Sequence, residues 1–115
     1  MARRSRRSRR SRKLKLVSLE KSDKYPYKFT ACFDKPNGRT SCTHFGHRDY
    51  EDYTIHGDRE RRDRYIDRHA KDLRTRNPIR AGFLSMFILW NKPTVTGSLR
   101  DFRRRLRDNN WSLPT

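Results

Sequence analysis

The first fifteen residues place the strongest limit on what this chain can fold into, because they carry nine positive charges and no negative one. Residues 1–12 repeat Arg-Arg-Ser with a period of three, which builds neither a helical stripe nor an alternating strand face. Mutual repulsion and the lack of large apolar side chains predict a disordered arm that requires a polyanion as its partner. The cations of this segment are Arg3, Arg4, Arg6, Arg7, Arg9, Arg10, Arg12, Lys13 and Lys15.

The remaining hundred residues are basic as well, since they carry +8 of the net charge of +17. Charge alone therefore predicts adhesion to DNA or RNA, with an anionic membrane surface as the rival partner. The longest apolar run falls short of the ~18 residues that a membrane span requires, and neither a secretory signal nor an amphipathic transit peptide fits the start. Two cysteines are too few for a disulfide scaffold, so we expect synthesis in a reduced compartment.

Alternating apolar and polar side chains predict three antiparallel strands, over residues 13–19, 25–33 and 40–45. Asn37 and Gly38 are read as a two-residue turn between the second and third strands. In that register Cys32 lies opposite Thr43, and the side chains of Cys32 and Cys42 point to opposite faces of the sheet. This register predicts neither a disulfide nor a shared metal at these cysteines, whereas a slip of one residue would place the two cysteines opposite each other.

Helical spacing of apolar side chains predicts three helices after the sheet, over residues 58–74, 78–90 and 98–108. Asp58 and Asn77 should cap the first two, and Ser98 with Asp101 forms a capping box for the third. The second helix is apolar nearly all round, so it should be central. We predict one α+β domain over residues 13–108, with a small three-stranded antiparallel meander followed by three helices. The arm, residues 1–12, precedes it, and a tail, residues 109–115, follows it with Trp111 packing back.

The arm is the main functional signal, because arginine binds phosphate through a planar bidentate fork and each neutralised phosphate releases counterions. The outer face of the last helix is predicted to carry Arg100, Arg103, Arg104, Arg105 and Arg107. Arg103, Arg104 and Arg107 lie roughly on one side, which forms either a second phosphate-binding surface or an ordinary solvated face. Nothing in the repeat reads base edges, so no sequence preference is expected. Basic runs also serve as nuclear addresses or solubilising tails.

The serines of the repeat suggest regulation, because each one follows a pair of arginines. Phosphorylation of all three would add roughly −4.5 to −6 charges, which cancels over half of the positive charge of the arm. The predicted phosphorylation sites are Ser5, Ser8 and Ser11.

Two groups of side chains suggest metal chemistry. The spacing of Cys32, Cys42, His44 and His47 matches no common zinc pattern, so ordinary strand residues are the preferred interpretation. A polar segment could hold magnesium in a nuclease, although neighbouring arginines would pair with its carboxylates. Its members are His44, His47, Asp49, Glu51, Asp52, His56 and Asp58. We predict no metal ligand, no catalytic residue and no cofactor.

Aromatic side chains on the second strand allow two interpretations. They form either a platform on which bases stack or the apolar face that packs against the helices. The core interpretation is preferred. These side chains are Tyr25, Tyr27, Phe29 and Phe33.

The order of motifs over residues 14–106 resembles a family of small basic proteins carried by large nucleocytoplasmic DNA viruses, of the giant-virus and algal-virus type. The resemblance rests on residues 44–46, 50–56, 61–65, 68–69, 81–85, 89–91, 93–94, 98 and 101–103. The family has no assigned activity, so no catalytic role carries over to this chain. The resemblance does imply a virion setting. The Arg-Arg-Ser repeat is not part of it.

The leading hypothesis is a non-enzymatic, virion-associated protein that binds nucleic acid, DNA in preference to RNA, and helps condense or anchor the genome. It would pass through the host cytoplasm or nucleus during assembly. A minor capsid protein that docks between larger capsid subunits is the alternative, and a metal-dependent nuclease using Asp52 and His56 is the third.

Overall fold

Three antiparallel strands followed by helices make up the computed structural model, which describes residues 13–115. The strands are β1 (Lys15–Lys21), β2 (Tyr27–Asp34) and β3 (Thr40–His47), hydrogen-bonded in that order. The helices are α1 (Tyr53–His56), α2 (Arg59–His69) with a 3₁₀ continuation (Ala70–Thr75), α3 (Ala81–Leu84) with a π-helical continuation (Ser85–Leu89), and α4 (Val95–Asp108). The predicted α+β class is confirmed. The arm, residues 1–12, lies outside the described residues.

The core forms between one face of the sheet and the continuous helix over α3 and its π-helical continuation. Phe33 on β2 and Phe45 on β3 are fully buried, and so are Phe87 and Ile88 on the helix. Phe102 on α4 closes the core with its ring 6.2 Å from that of Phe33. The prediction that a helix apolar all round lies at the centre is confirmed.

The predicted turn between β2 and β3 was wrong by one residue. The N–H of Gly38 donates to the carbonyl of Lys35 at 2.9 Å, so Pro36 and Asn37 occupy the centre of the turn. Proline suits the first central position because its φ is fixed, and Gly38 takes the left-handed position after the turn at φ +86°. This extra residue shifts the register of the hairpin.

The shift places Cys32 opposite Cys42 rather than Thr43, with 4.0 Å between their Cα atoms. The two cysteines form a disulfide, so the prediction that register excludes one was also wrong. Neighbouring side chains along β2 point to opposite faces, and Phe33 points into the core. The disulfide therefore lies on the outer face of the sheet.

The helix starts were predicted with mixed success. Asp58 caps α2 as expected, accepting from the N–H groups of Glu60 and Arg61. The next helix begins at Ala81, after a turn over residues 77–80, and not at residue 78. The capping box at Ser98 was wrong, because Thr94 caps α4 one turn earlier by accepting from the N–H of Gly97 at 3.0 Å. Ser98 is buried instead, and its hydroxyl accepts from the N–H of Lys92 at 2.9 Å.

Gly46 lets β3 approach the central helix. Its φ is +77°, and a Cβ at this position would lie 2.8 Å from Cδ1 of Leu89. Any side chain would therefore meet both backbone strain and a steric clash.

The C-terminal residues, 109–115, pack onto the core. The ring of Trp111 lies 5.3 Å from the rings of Phe83 and Phe87, and 5.4 Å from that of Phe102. Trp111 thus packs back as expected, and Pro114 is buried beyond it. Within residues 13–115, no helix combines the length and the apolar character needed to cross a membrane.

Candidate nucleic-acid interface

Four of the predicted phosphate-binding residues meet in one groove between the start of β1 and the last turns of α4. These cations are Lys13, Lys15, Arg103 and Arg107. The groove has a volume of about 280 Å³, and its remaining lining residues are Leu14, Leu16 and Leu106. No residue that lines it is acidic. We call this feature the basic groove.

Local structure explains how the four cations converge. Arg103 and Arg107 are four residues apart on α4 and therefore share a face of that helix. The guanidinium of Arg103 donates to the carbonyl of Leu16 at 3.4 Å, and Nζ of Lys13 donates to the carbonyl of Arg107 at 3.4 Å. These contacts hold β1 and α4 side by side, so two segments predicted separately form one positive surface.

The groove combines charge with an apolar floor. Leu16 is buried, and Leu14 and Leu106 are half-buried against the core. The long stems of lysine and arginine can cover such a floor while their charged heads reach solvent. The surface continues past Pro78 to Trp111, because both residues share a second depression with Lys13 and Arg107.

Arg104 lies outside the groove. Its guanidinium donates to Asp101 and lies 3.9 Å from a carboxylate oxygen of Asp108. It lines a neighbouring depression together with Lys92 and Arg100. Arg104 is therefore less available to phosphate than Arg103 and Arg107.

Arg105 was predicted to lie on the outer face of α4, and this prediction was wrong. It is buried, with its guanidinium carbon 4.6 Å from the ring centroid of Phe87. It donates to Asp101 at 2.7 Å and to the carbonyls of Asn110 at 3.2 Å and Ser112 at 2.6 Å. Arg105 thus fixes the C-terminal segment and is not free to bind phosphate.

Asp101 is the acceptor at the centre of this network. Burial raises its pKa, but hydrogen bonds from Arg105, Arg104 and Asn91 outweigh burial and lower the pKa to about 2. The amide of Asn91 donates to Asp101 at 2.7 Å. The negative charge of Asp101 is therefore committed to holding α4 and the end of α3 together.

The carboxylates that were considered as magnesium ligands have structural partners. Asp52 is buried, accepts from Lys28 and caps α1, and Asp58 caps α2. Glu51 lies 3.3 Å from Arg61, and Asp49 accepts from the hydroxyl of Tyr25. Over residues 13–115, no three histidine, cysteine, aspartate or glutamate side chains are grouped so that they could hold a metal.

The three histidines that were considered as metal ligands form hydrogen bonds within the protein. Nδ1 of His44 lies 2.9 Å from the hydroxyl oxygen of Ser22 and 2.8 Å from that of Thr30. Nδ1 of His47 and Nδ1 of His56 accept from the N–H groups two residues ahead. These histidines hold turns and strands in place.

The aromatic side chains of β2 divide between core and surface. Phe33 belongs to the core and Phe29 packs against it, in agreement with the preferred interpretation. Tyr25 precedes β2 and is exposed, with the guanidinium carbon of Arg48 5.6 Å from its ring centroid. The proposed row of stacking rings is therefore not continuous.

Sequence reasoning missed a second buried arginine. Arg62 donates from Nε to the carbonyl of Asn91 at 2.9 Å and from its terminal nitrogen to the carbonyl of Thr115 at 3.0 Å. Its guanidinium carbon lies 5.5 Å from the ring centroid of Tyr53. Arg62 lies four residues before the buried Ile66, and this spacing on the apolar stripe was the signal that could have revealed it.

Comparison with known proteins gives one match. A family of unknown function, DUF5754, matches residues 17–69, which is less than half of the chain. The match covers most of β1 to the end of α2 and leaves out the arm and α4. No curated protein and no solved structure matches the chain.

Proposed function

We propose that this protein binds nucleic acid without sequence preference, through the arm and the basic groove. The observation that carries this proposal is the convergence of Lys13, Lys15, Arg103 and Arg107 on a groove with no acidic lining residue. Phosphate is the ligand that suits such a set, because lysine and arginine bind it through charge-assisted hydrogen bonds.

The position of the groove supports a joint role with the arm. Lys13 directly follows the seven arginines of residues 1–12 and lines the basic groove, so the arm is covalently joined to a residue of the groove. A polyanion held by the arm is therefore delivered to the groove by covalent attachment, which raises the effective concentration of phosphate there. The groove in turn fixes where the arm leaves the domain.

The lack of base-reading geometry supports binding without sequence preference. The basic groove is a depression between β1 and α4, whereas base edges are read most often by a helix or ribbon that enters the major groove. Backbone contacts position a protein on a duplex and carry no sequence information. Packaging of a viral genome would be one setting for such binding. That setting rests on the resemblance described above, and the presence of the protein in purified virus particles would test it.

The experiment is a salt titration of the affinity for unrelated duplexes and single strands. The logarithm of the binding constant should fall linearly with the logarithm of the salt concentration, with a slope of about −0.9 for each neutralised phosphate on duplex DNA. Deleting residues 2–12 removes seven arginines and should reduce the magnitude of the slope by up to about 6. Changing the four groove cations to glutamine should reduce it by about 3 to 4.

A matched control changes four cations at the hairpin ends, Lys21, Lys24, Lys35 and Arg39, to glutamine. This variant loses the same net charge as the groove variant but leaves the groove intact, so its slope should stay near that of the unchanged protein. Equal losses in both variants would show that only net charge matters. A full-length protein that ignores duplex and single strands in dilute buffer would refute the proposed function.

A further inference from the structure

A second row of cations runs along α2 and its 3₁₀ continuation, away from the basic groove. All of its side chains are exposed. In α2 they recur every three or four residues, and in the 3₁₀ segment every three, which are the spacings that keep side chains on one side of each helix type. The members are Arg61, Arg64, Arg68, Lys71 and Arg74, and we call them the α2 stripe.

Neighbouring carboxylates compensate this charge only in part. Within residues 13–115, Arg61 pairs with Glu51 at 3.3 Å, and the other four members lie in no ion pair. Asp63 is committed to Arg59 and Arg62, at 3.7 Å and 2.9 Å. Glu60, Asp67 and Asp72 lie beside the stripe and reduce its net charge of +5 without cancelling it.

The rest of α2 is fixed by the core, so the stripe is presented on a rigid support. Arg62 and Ile66 are buried on the inner side of the helix. The ring of Tyr65 stacks on that of Trp90 with 4.3 Å between centroids. The row also gains a further cation at one end, since Lys71 and Arg74 share a surface depression with Arg80 and with one carboxylate, Asp72.

The length of the stripe suits a nucleic-acid strand. From Arg61 to Arg74, rises of about 1.5 Å per α-helical and 2.0 Å per 3₁₀ residue give a length of about 22 Å. One strand of a duplex presents a phosphate about every 3.4 Å of axis, so about six phosphates lie along this distance. A helical row of cations is also typical of proteins that lie on anionic membranes, but such helices present an apolar face to the lipid. The apolar side of α2 is already occupied by the core.

We infer that the α2 stripe is a second phosphate-binding surface for nucleic acid, made of the folded domain alone. The inference rests on the proposed function and extends it, because the stripe shares no residue with the basic groove. Arg61, Arg64 and Arg68 also lie within the residues that match the family of unknown function, whereas the arm and α4 do not. The stripe would let one molecule neutralise more backbone than the arm and groove reach.

The test uses the full-length chain with Arg64→Gln, Arg68→Gln and Lys71→Gln combined. Glutamine retains helix propensity, and circular dichroism should show unchanged helix content and melting. The control combines Lys21→Gln, Lys24→Gln and Arg39→Gln, which removes the same net charge from the turns at the two ends of the sheet. Fluorescence anisotropy with a duplex of arbitrary sequence, at several salt concentrations, gives the slope for each protein.

The stripe variant should lose about 2 to 3 from the magnitude of the slope, and the control should lose less than about 1. Equal slopes in the two variants, with the unchanged protein still binding, would overturn the inference and leave the proposed function standing. If the unchanged protein binds no nucleic acid, the proposed function fails and the inference fails with it. Loss of binding to phosphatidylserine vesicles, with duplex binding intact, would assign the stripe to lipid and overturn the inference.

Discussion

Nζ of Lys13 lies 3.4 Å from the main-chain oxygen of Arg107, although 94 positions separate the two residues along the chain. This contact joins the segment that leads into β1 to the last turn of α4. It places Lys13 in the same groove as Arg103, whose guanidinium contacts the same segment at the carbonyl of Leu16. The strength of phosphate binding at this point should therefore depend on which arginines of α4 face β1.

Two neighbouring arginines of α4 should differ in their effect on binding. Arg103→Gln should reduce the magnitude of the salt slope by about 1, because Arg103 lines the basic groove. Arg104→Gln should change it by less than half as much, because Asp101 already holds that guanidinium. Salt titrations of the two single variants on the same duplex make the comparison at equal net charge. Equal effects would mean that the groove has no special role.

The acid stability of the protein should depend on Asp101. Its pKa is about 2 in the folded state and near 3.8 when the chain is unfolded, so the folded state is favoured while the group is ionised. This stabilisation is fully present above about pH 4 and is lost as the pH falls through 4 towards 2. After allowance for solvent screening it amounts to about 1 to 2 kcal/mol.

Urea unfolding at several pH values would measure this loss. Asp101→Asn should lower stability at pH 7 and flatten its dependence on pH between 4 and 2. Asp108→Asn is the matched control, because Asp108 is half exposed and lies 3.9 Å from its partner Arg104. An unchanged pH profile in Asp101→Asn would contradict the hydrogen-bond network described for Asp101.

The disulfide should stabilise the hairpin. Closing a loop of about 11 residues restricts the unfolded chain and should contribute about 2 to 3 kcal/mol to the free energy of unfolding. Dithiothreitol should lower the urea midpoint of the unchanged protein but have no effect on the Cys32→Ala, Cys42→Ala double variant. Mass spectrometry after folding in air should find no free thiol. Two free thiols in folded protein would contradict the register of β2 and β3.

A side chain at Gly46 should be costly. Gly46→Ala adds a Cβ 2.8 Å from Leu89 and places alanine at φ +77°, so we expect a loss of about 2 to 4 kcal/mol. Gly57 has a similar φ of +63° with no atom within 4 Å of its Cβ position. Gly57→Ala should therefore cost only about 1 kcal/mol. Thermal unfolding of both variants separates the clash from the backbone strain, and similar losses would argue against close packing of β3 on α3.

Local patterns predicted the elements well because they depend on neighbours in the sequence. Strand alternation located all three strands, and Asp58 marked the start of α2. The predicted register of the β2–β3 hairpin was wrong because the register depends on whether Pro36 or Asn37 takes the first central position of the turn. Dipeptide preference alone does not resolve this choice. The predicted start of α4 was wrong because Ser98 and Thr94 are both good N-cap residues.

The sequence did not allow us to predict which arginines are buried. Arg105 on α4 was predicted to be exposed, and no burial was predicted for Arg62 on α2. Both are buried, because main-chain carbonyls outside their own helices accept their hydrogen bonds. The basic groove was equally hidden, since it requires β1 and α4 to lie side by side. Contacts between segments that are far apart in the sequence could not be predicted from the local pattern of residues.

The outer position of the Cys32–Cys42 disulfide makes these two cysteines suitable labelling sites for measuring nucleic-acid binding. The bond lies on the side of the sheet opposite Phe33, whereas α4 packs on the Phe33 side, with Phe102 facing that ring. Gentle reduction would release thiols for coupling to a fluorophore or spin label that occupies neither cationic surface. A label at Cys32 or Cys42 would then report the binding of a nucleic-acid strand from the side of the sheet opposite α4.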